Sequence, residues 1–266
     1  YTAETLFPYT TLFRSKEDIS PKVNRADSSV LKNDLKPKIE FIITVPLTDL
    51  QHKAYTIYVQ SMMESPLEAN QLTESGKLRQ TTLWSWIGIL ALLCNHPICF
   101  KNKLAERKNK ADIDNNTRRA RIASNGDANE DVVVPSDISQ TLISEVANLF
   151  HGYGSEKETK GPNNSYKTKI LVQILDASRE VGDKVLIFST TIATLDYLEK
   201  LFISTNRNYG RLDGSTPMAK RQGLTKEFNT GDTEVYLIST TAGGLGLNLY
   251  GANRRSEERR VGKEGL

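Results

Sequence analysis

The sequence predicts an α/β protein in which a parallel sheet is covered by helices on both faces and is preceded by a helical region. Two observations carry this reading. "KVLIFS" (Lys184–Ser189) and "EVYLIS" (Glu234–Ser239) are apolar along nearly their whole length instead of alternating, the pattern of strands buried on both faces. Around them, Ile170, Leu171, Ile174, Leu175 and Val181, then Ile192, Leu195, Leu198 and Phe202, recur at helical spacing. Such helices alternating with such strands build parallel sheets, where ligands meet the chain beyond the carboxyl ends of the strands.

Taken in order, Lys16–Leu35 is polar and unpatterned, as expected of a linker. "KIEFIITV" (Lys38–Val45) is β-branched and short, and predicts a strand. Thr48 followed by Gln51 is a capping-box signature that opens a helix. A second helix is predicted from Leu78 to about Cys94, stopped near Pro97 because proline restricts its predecessor. Its apolar run, Trp84–Cys94, falls short of the roughly 20 residues that span a bilayer. Lys101–Asp137 is charged, Asn-rich and poor in aromatics, and predicts a disordered insertion, with "RRAR" (Arg118–Arg121) as a solvated loop in preference to a nucleic-acid contact or a localisation signal. After the strand Lys184–Ser189 and its helix come a short strand at "YGRLDG", a helix capped by Thr216 with Pro217 in its first turn, and the strand Glu234–Ser239.

The two ends have a separate origin in this reading. Written with suitable codons, Arg255–Glu264 has a reverse complement that translates as "LFPYTTLFRS", which is Leu6–Ser15. Two strands of one DNA segment at both ends of a reading frame point to sequencing adapter, so 1–15 and 255–266 are set aside. On this expectation the strand that should follow "GANR" is lost and the sheet keeps an open edge.

The formal charge of +3 falls to +2 without the ends, too mild to argue nucleic-acid binding alone. Only two cysteines occur and no secretory leader pattern is present, which fits a reducing intracellular setting. Cys94, His96 and Cys99 supply three metal-capable side chains and no fourth; they read as a packed cysteine and a capping histidine.

The chemistry lies at three strand ends. Ser189, Thr190 and Thr191 follow the first strand; Ser215 and Thr216 follow the second, with Arg221 on the next helix; Ser239, Thr240 and Thr241 follow the third and lead into "AGGLGLN". Hydroxyls and unpaired amides at helix starts bind phosphate, and Gly243, Gly244 and Gly246 let backbone approach a ligand closely. Three such edges side by side form a strip, which suits a polynucleotide backbone better than a single phosphate. Each has a plainer reading too: Thr216 as a helix cap, Arg221 as a solvated helix residue, "GGLGLN" as a close-packed turn or a degenerate dinucleotide fingerprint without its third glycine and acid.

Together, "KVLIFS…TLDYLEKLF…YGRLDGSTPMAKRQGLTKEFNTG…VYLISTTAGGLGLNLYGANR" resembles the second RecA-like lobe of the Swi/Snf-type chromatin-remodelling ATPases of helicase superfamily two. The "GLNLYGANR" ending is most similar to the branch of recombination translocases and ATRX-like proteins, and "LLCNHP" and "KIEFIITVPLTDLQHKAY" resemble the segments leading into this lobe. The resemblance implies these divisions: linker 16–37, inter-lobe strand and helices 38–100, disordered insertion 101–140, second RecA-like lobe 141–254. It implies a nuclear, ATP- and Mg²⁺-dependent translocase on double-stranded DNA, acting on nucleosomes or with recombination proteins, with no membrane role. By position, Ser189, Ser215, Thr216, Arg221, Thr240 and Thr241 would line the DNA, and Gly244, Gly246 and Asn248 would face the nucleotide. Thr241 stands where the family usually has Arg or Lys, which puts a phosphate contact in doubt.

The lysine-bearing phosphate loop G-x-x-x-x-G-K-[ST] is not in this sequence; "ESGKL" (Glu74–Leu78) and "VGKEG" (Val261–Gly265) lack its first glycine and hydroxyl partner. In the family that loop and the acidic Mg²⁺ motif belong to a first RecA-like lobe, and an arginine finger follows the glycine-rich motif. The expectation is therefore a fragment without ATPase activity of its own, in which Arg259 and Arg260 are not assigned the finger's role. A truncated, non-enzymatic DNA- or protein-binding module is the alternative, and a dinucleotide-dependent oxidoreductase a third reading.

Overall fold

The computed structural model describes residues 39–64, 80–125, 138–243 and 247–257. By internal contacts the chain divides at Thr44/Val45. Residues 39–44 form no strand: they are irregular, and Ile39, Phe41, Ile42 and Ile43 are exposed. The strand expected over Lys38–Val45 is thus corrected. β-Branched composition states only that a segment fits a sheet surface, and no strand among the described residues pairs with 39–44.

From Val45 onward the predicted helices form. Helix α1 (Asp49–Glu64) opens on the predicted capping box: the Thr48 amide donates to Gln51 Oε1 at 3.0 Å and the Gln51 amide to Thr48 Oγ1 at 3.3 Å. Helix α2 (Gln80–Asn95) stops as predicted before Pro97, which then starts a new helix, α3 (Pro97–Asn125). The disordered insertion expected over 101–140 is corrected as far as Asn125; residues 126–137 lie outside the described residues. The cause is tertiary. Ile98, Cys99, Phe100 and Leu104 are buried in the core and nucleate the helix, which then propagates through a polar sequence supported by the Lys103–Glu106 and Lys108–Asp112 pairs. Helix α4 (Gln140–His151) is capped by Ser139, the short α5 (Glu156–Thr159) by a Ser155/Glu158 capping box, and α6 (Tyr166–Glu180) by Ser165 after a 3₁₀ turn at Pro162–Asn164. Among the described residues no helix is long and apolar enough to cross a membrane.

The remainder alternates strictly: β1 (Val185–Ser189), α7 (Ile192–Ser204), β2 (Tyr209–Leu212), α8 (Met218–Thr230), β3 (Val235–Ser239), the single turn α9 (Thr240–Gly243) and β4 (Arg254–Glu257). The strands make one parallel sheet in the order β2-β3-β1-β4, with Val185 opposite Val235 and Ser189 opposite Ser239. Side chains alternate across it. Val185, Ile187, Val235 and Leu237 join the large core built with helices α1–α4, α6 and α7, while Leu186, Tyr236 and Ile238 form a second cluster with Leu212, Phe228 and Leu224. Helices on both faces of a parallel sheet are what the continuous apolar strands predict. Strand β4 was not expected. Its four residues are polar and mostly exposed, and they lie against β1 through backbone pairing, with the Arg255 guanidinium 4.3 Å over the Phe188 ring. Edge N–H and C=O groups of β1 are satisfied by whatever backbone lies beside them, with little demand on side chains.

Candidate nucleic-acid interface

The sheet order brings the three predicted strand ends together. The carboxyl ends of β2, β3 and β1 are neighbours in that order, so the segments 213–216, 240–241 and 189–191 share one edge. Two inter-strand steps make this edge about 10 Å long.

Hydrogen bonding decides which hydroxyls on it can donate to a phosphate. Ser189 is 1 % exposed, and its Oγ is consumed locally, donating to the Thr191 carbonyl and accepting the Thr191 amide, each at 3.2 Å. It shapes the turn, whereas Thr190 is exposed and Thr191 half-buried. Ser215 is exposed, but its Oγ donates to Asp213 Oδ1 at 2.6 Å and its amide to the same oxygen at 2.9 Å. These bonds, with the Arg211 guanidinium at 2.8 Å from Oδ2, hold the Asp213 carboxyl below the usual carboxylate range. Thr216 behaves oppositely. Its Oγ1 accepts the Asp213 amide at 3.2 Å, which leaves its own proton to give away. It does not cap α8 as expected: Pro217 holds that position and the cap has no side-chain bond.

Arg221 points inward rather than toward a solvated surface. Its Nε donates to the Thr216 carbonyl at 3.0 Å and its Nη2 to the Asp213 carbonyl at 3.2 Å, clamping the 213–216 loop. Thr240 is half-buried and Thr241 exposed on α9. Gly244 and Gly246 lie outside the described residues. Asn248 is exposed, and its backbone carbonyl accepts from Asn229 Nδ2 at 2.8 Å while Asn229 Oδ1 takes the Gly251 amide at 2.9 Å. Gly251 is required there, because a Cβ would stand 2.8 Å from Asn229 Cα. Nothing in the sequence pattern singles out Asn229 for this role.

Helix caps distinguish the edge among the helices whose N-caps are described. Helices α1, α4, α5 and α6 each have an N-terminal amide bonded by a side-chain oxygen, and α3 is capped by His96 Nδ1, which accepts the Ile98 amide at 3.2 Å. Helices α7 and α8, the two that follow β1 and β2, have no side-chain cap bond. Their first amides and positive dipole ends are left for a ligand. His96 is engaged through both nitrogens, since Nε2 lies 3.0 Å from the Gly161 carbonyl; accepting at Nδ1 fixes the proton on Nε2. Among the described residues no group of three or more His, Cys, Asp or Glu is placed to hold a metal ion.

Comparison with known proteins agrees with this architecture. Residues 166–255 match the helicase conserved C-terminal domain. The chain is 34 % identical over 236 residues to a zebrafish SWI/SNF-related matrix-associated actin-dependent regulator of chromatin, subfamily A containing DEAD/H box 1A, covering 87 % of this chain and 23 % of that protein. It is 30 % identical to Arabidopsis Protein CHROMATIN REMODELING 20, covering 90 % of this chain and 17 % of that one, and 31 % identical to the rice DNA repair and recombination protein RAD54, covering 89 % and 22 %. The chain thus spans about a fifth of the length of these relatives. The crystal structure of the C-terminal part of the Fun30 ATPase domain superposes with a TM-score of 0.50 at 26 % identity, covering 83 % of this chain and 75 % of that one. The Sulfolobus solfataricus SWI2/SNF2 ATPase core in complex with double-stranded DNA shares the fold, with a TM-score of 0.52 at 18 % identity over 92 % of this chain and 40 % of that one.

Proposed function

We propose, from the premise that the chain carries a second RecA-like lobe of the SWI/SNF-related, helicase-like kind, that the whole protein is an ATP-driven translocase on double-stranded DNA and that this lobe grips the duplex. One observation carries the grip. Helices α7 and α8 open uncapped on the sheet edge where Thr190, Thr191, Thr216, Thr240 and Thr241 are collected. B-DNA carries a charge per roughly 1.7 Å of axis, so a strip of about 10 Å meets several backbone charges at once. Contacts of this kind fix position on a duplex without reading its sequence, as translocation requires.

ATP, with Mg²⁺, would supply the free energy for lobe movement through hydrolysis of its terminal anhydride. On this chain the fit is partial. The exposed Asn248 segment, held by Asn229, is the described surface that would touch a nucleotide, and the metal and phosphate ligands are assigned to a first RecA-like lobe in cis. We further assign the protein to the nucleus, with nucleosomes or recombination proteins as partners; the relatives named for chromatin remodelling and for DNA repair and recombination support this.

Titration of the 266-residue chain with a short duplex at several salt concentrations tests the grip. The expected result is binding whose log K falls linearly with log salt, with slope about −0.9 per phosphate neutralised. Absence of binding, or binding indifferent to salt, would overturn it.

A further inference from the structure

Behind the end of β1 lies a buried polar relay that begins at Asn95, the last residue of α2. The side chain of Asn95, a residue only 4 % exposed, accepts from Lys167 Nζ at Oδ1 (2.8 Å) and donates from Nδ2 to Thr194 Oγ1 (3.0 Å). Its carbonyl takes the hydroxyls of Ser165 at 2.7 Å and Thr168 at 3.3 Å. Thr194, 6 % exposed, is in turn 2.7 Å from Thr191 Oγ1.

The direction of each proton follows from the donor inventory. An ammonium has no acceptor, so the oxygen of the Asn95 amide faces Lys167 and the nitrogen faces Thr194. Thr194 Oγ1 therefore accepts from Asn95; either hydroxyl of the Thr194–Thr191 pair can donate, and because Thr194 is buried with no other acceptor among the described residues, its proton is assigned to Thr191 Oγ1. Among the described residues the Thr191 proton then has Ser189 Oγ as its nearest partner, at 3.5 Å, too far for a good bond, and that oxygen already accepts the Thr191 amide. Hydrogen bonds aligned head to tail polarise one another, with a cation at the head strengthening each donor in turn.

We propose that Asn95 is a positioning residue for the duplex-gripping edge: through Thr194 it fixes and polarises the Thr191 hydroxyl so that it donates to a DNA phosphate beyond β1. This rests on the reading of that edge as the DNA-facing one. It also gives Asn95, in the segment leading into the lobe, a relayed effect on the strand-end contact, and it moves the β1-end phosphate donor from Ser189 to Thr191.

The test measures duplex affinity of the 266-residue chain and its Thr191→Val, Thr191→Ser, Thr194→Val, Thr194→Ser and Asn95→Leu variants across salt. It is combined with duplexes in which single phosphates are replaced by methylphosphonate. Thr191→Val is expected to lose about tenfold in affinity, the scale of a hydrogen bond to a charged group. The salt slope should stay unchanged because no cation is removed, and Thr191→Ser should restore binding. Thr194→Val should lose several-fold and Thr194→Ser recover it, with either loss absent when Thr191 is already Val. At one methylphosphonate position the wild-type chain should weaken and Thr191→Val should not weaken further. If Asn95→Leu fails to fold, the Thr194 pair and the methylphosphonate scan still decide. Salt-dependent binding in which Thr191→Val equals wild type overturns the relay and leaves the grip standing; no salt-dependent binding by the wild-type chain overturns both.

Discussion

Lowering the pH should loosen this lobe through a single side chain. His96 is fully buried, with Nδ1 accepting the Ile98 amide, Nε2–H donating to the Gly161 carbonyl, and its ring stacked on Tyr197 at 4.1 Å and 21°. Burial is the main cause that pulls its pKa down to about 4 from 6.5, against a smaller opposing effect of the Gly161 carbonyl. Above pH 6.5 both folded and unfolded chains hold a neutral ring, and the full stabilisation is present. Between 6.5 and about 4 the unfolded chain takes up a proton that the folded one refuses, so stability falls by about 1.4 kcal/mol per pH unit, about 3 kcal/mol in all. His96→Asn keeps an acceptor for the Ile98 amide but loses the bond to Gly161 and the ring stack. It should cost about 2–4 kcal/mol at pH 7 from an unmade buried hydrogen bond and a lost aromatic pair. Urea unfolding of both chains from pH 7 to pH 4 isolates the His96 contribution as their difference. That difference should shrink toward acid. Parallel pH profiles, or an imidazole resonance of His96 that titrates near 6.5, would refute the reasoning.

Four further outcomes follow from the geometry. Thr216→Val should weaken duplex binding more than Ser215→Ala, since the Thr216 proton is free and the Ser215 hydroxyl is spent on Asp213; equal losses in a binding titration would contradict this. Thr241→Arg places a cation on the exposed face of α9 and should raise affinity while steepening the salt slope by about one, read from the same titrations. Gly210→Ala would set a Cβ 2.5 Å from the Tyr236 ring, which stacks on Phe228, and should destabilise by about 1–3 kcal/mol in denaturant unfolding without altering the salt slope of binding. The chain alone should show no DNA-stimulated ATP hydrolysis; turnover of even a few molecules per minute that Asn248→Ala abolishes would sink that expectation.

The sequence by itself determined the strand-and-helix alternation from Tyr166 onward, because strands buried on both faces must be apolar at every position and their helices must keep a 3.6-residue stripe. Local chemistry was equally legible: the Thr48/Gln51 box, the stop before Pro97 and the capping histidine each depend on neighbours within a few residues. Segments whose fate depended on distant partners were not. Lys38–Val45 has strand composition, yet 39–45 has no strand beside it among the described residues, 101–125 has the composition of a solvated loop and is helical because its first turns enter the core, and Arg254–Glu257 joins the sheet with no apolar residue. At the candidate interface the sequence located the hydroxyls, and the sheet order placed their strand ends side by side. Only the tertiary structure decided which of them can act. A hydroxyl has one proton, and whether it is spent within the turn, as at Ser189 and Ser215, or left for a ligand, as at Thr216 and Thr191, depends on contacts that reach as far as Asn95 and Lys167.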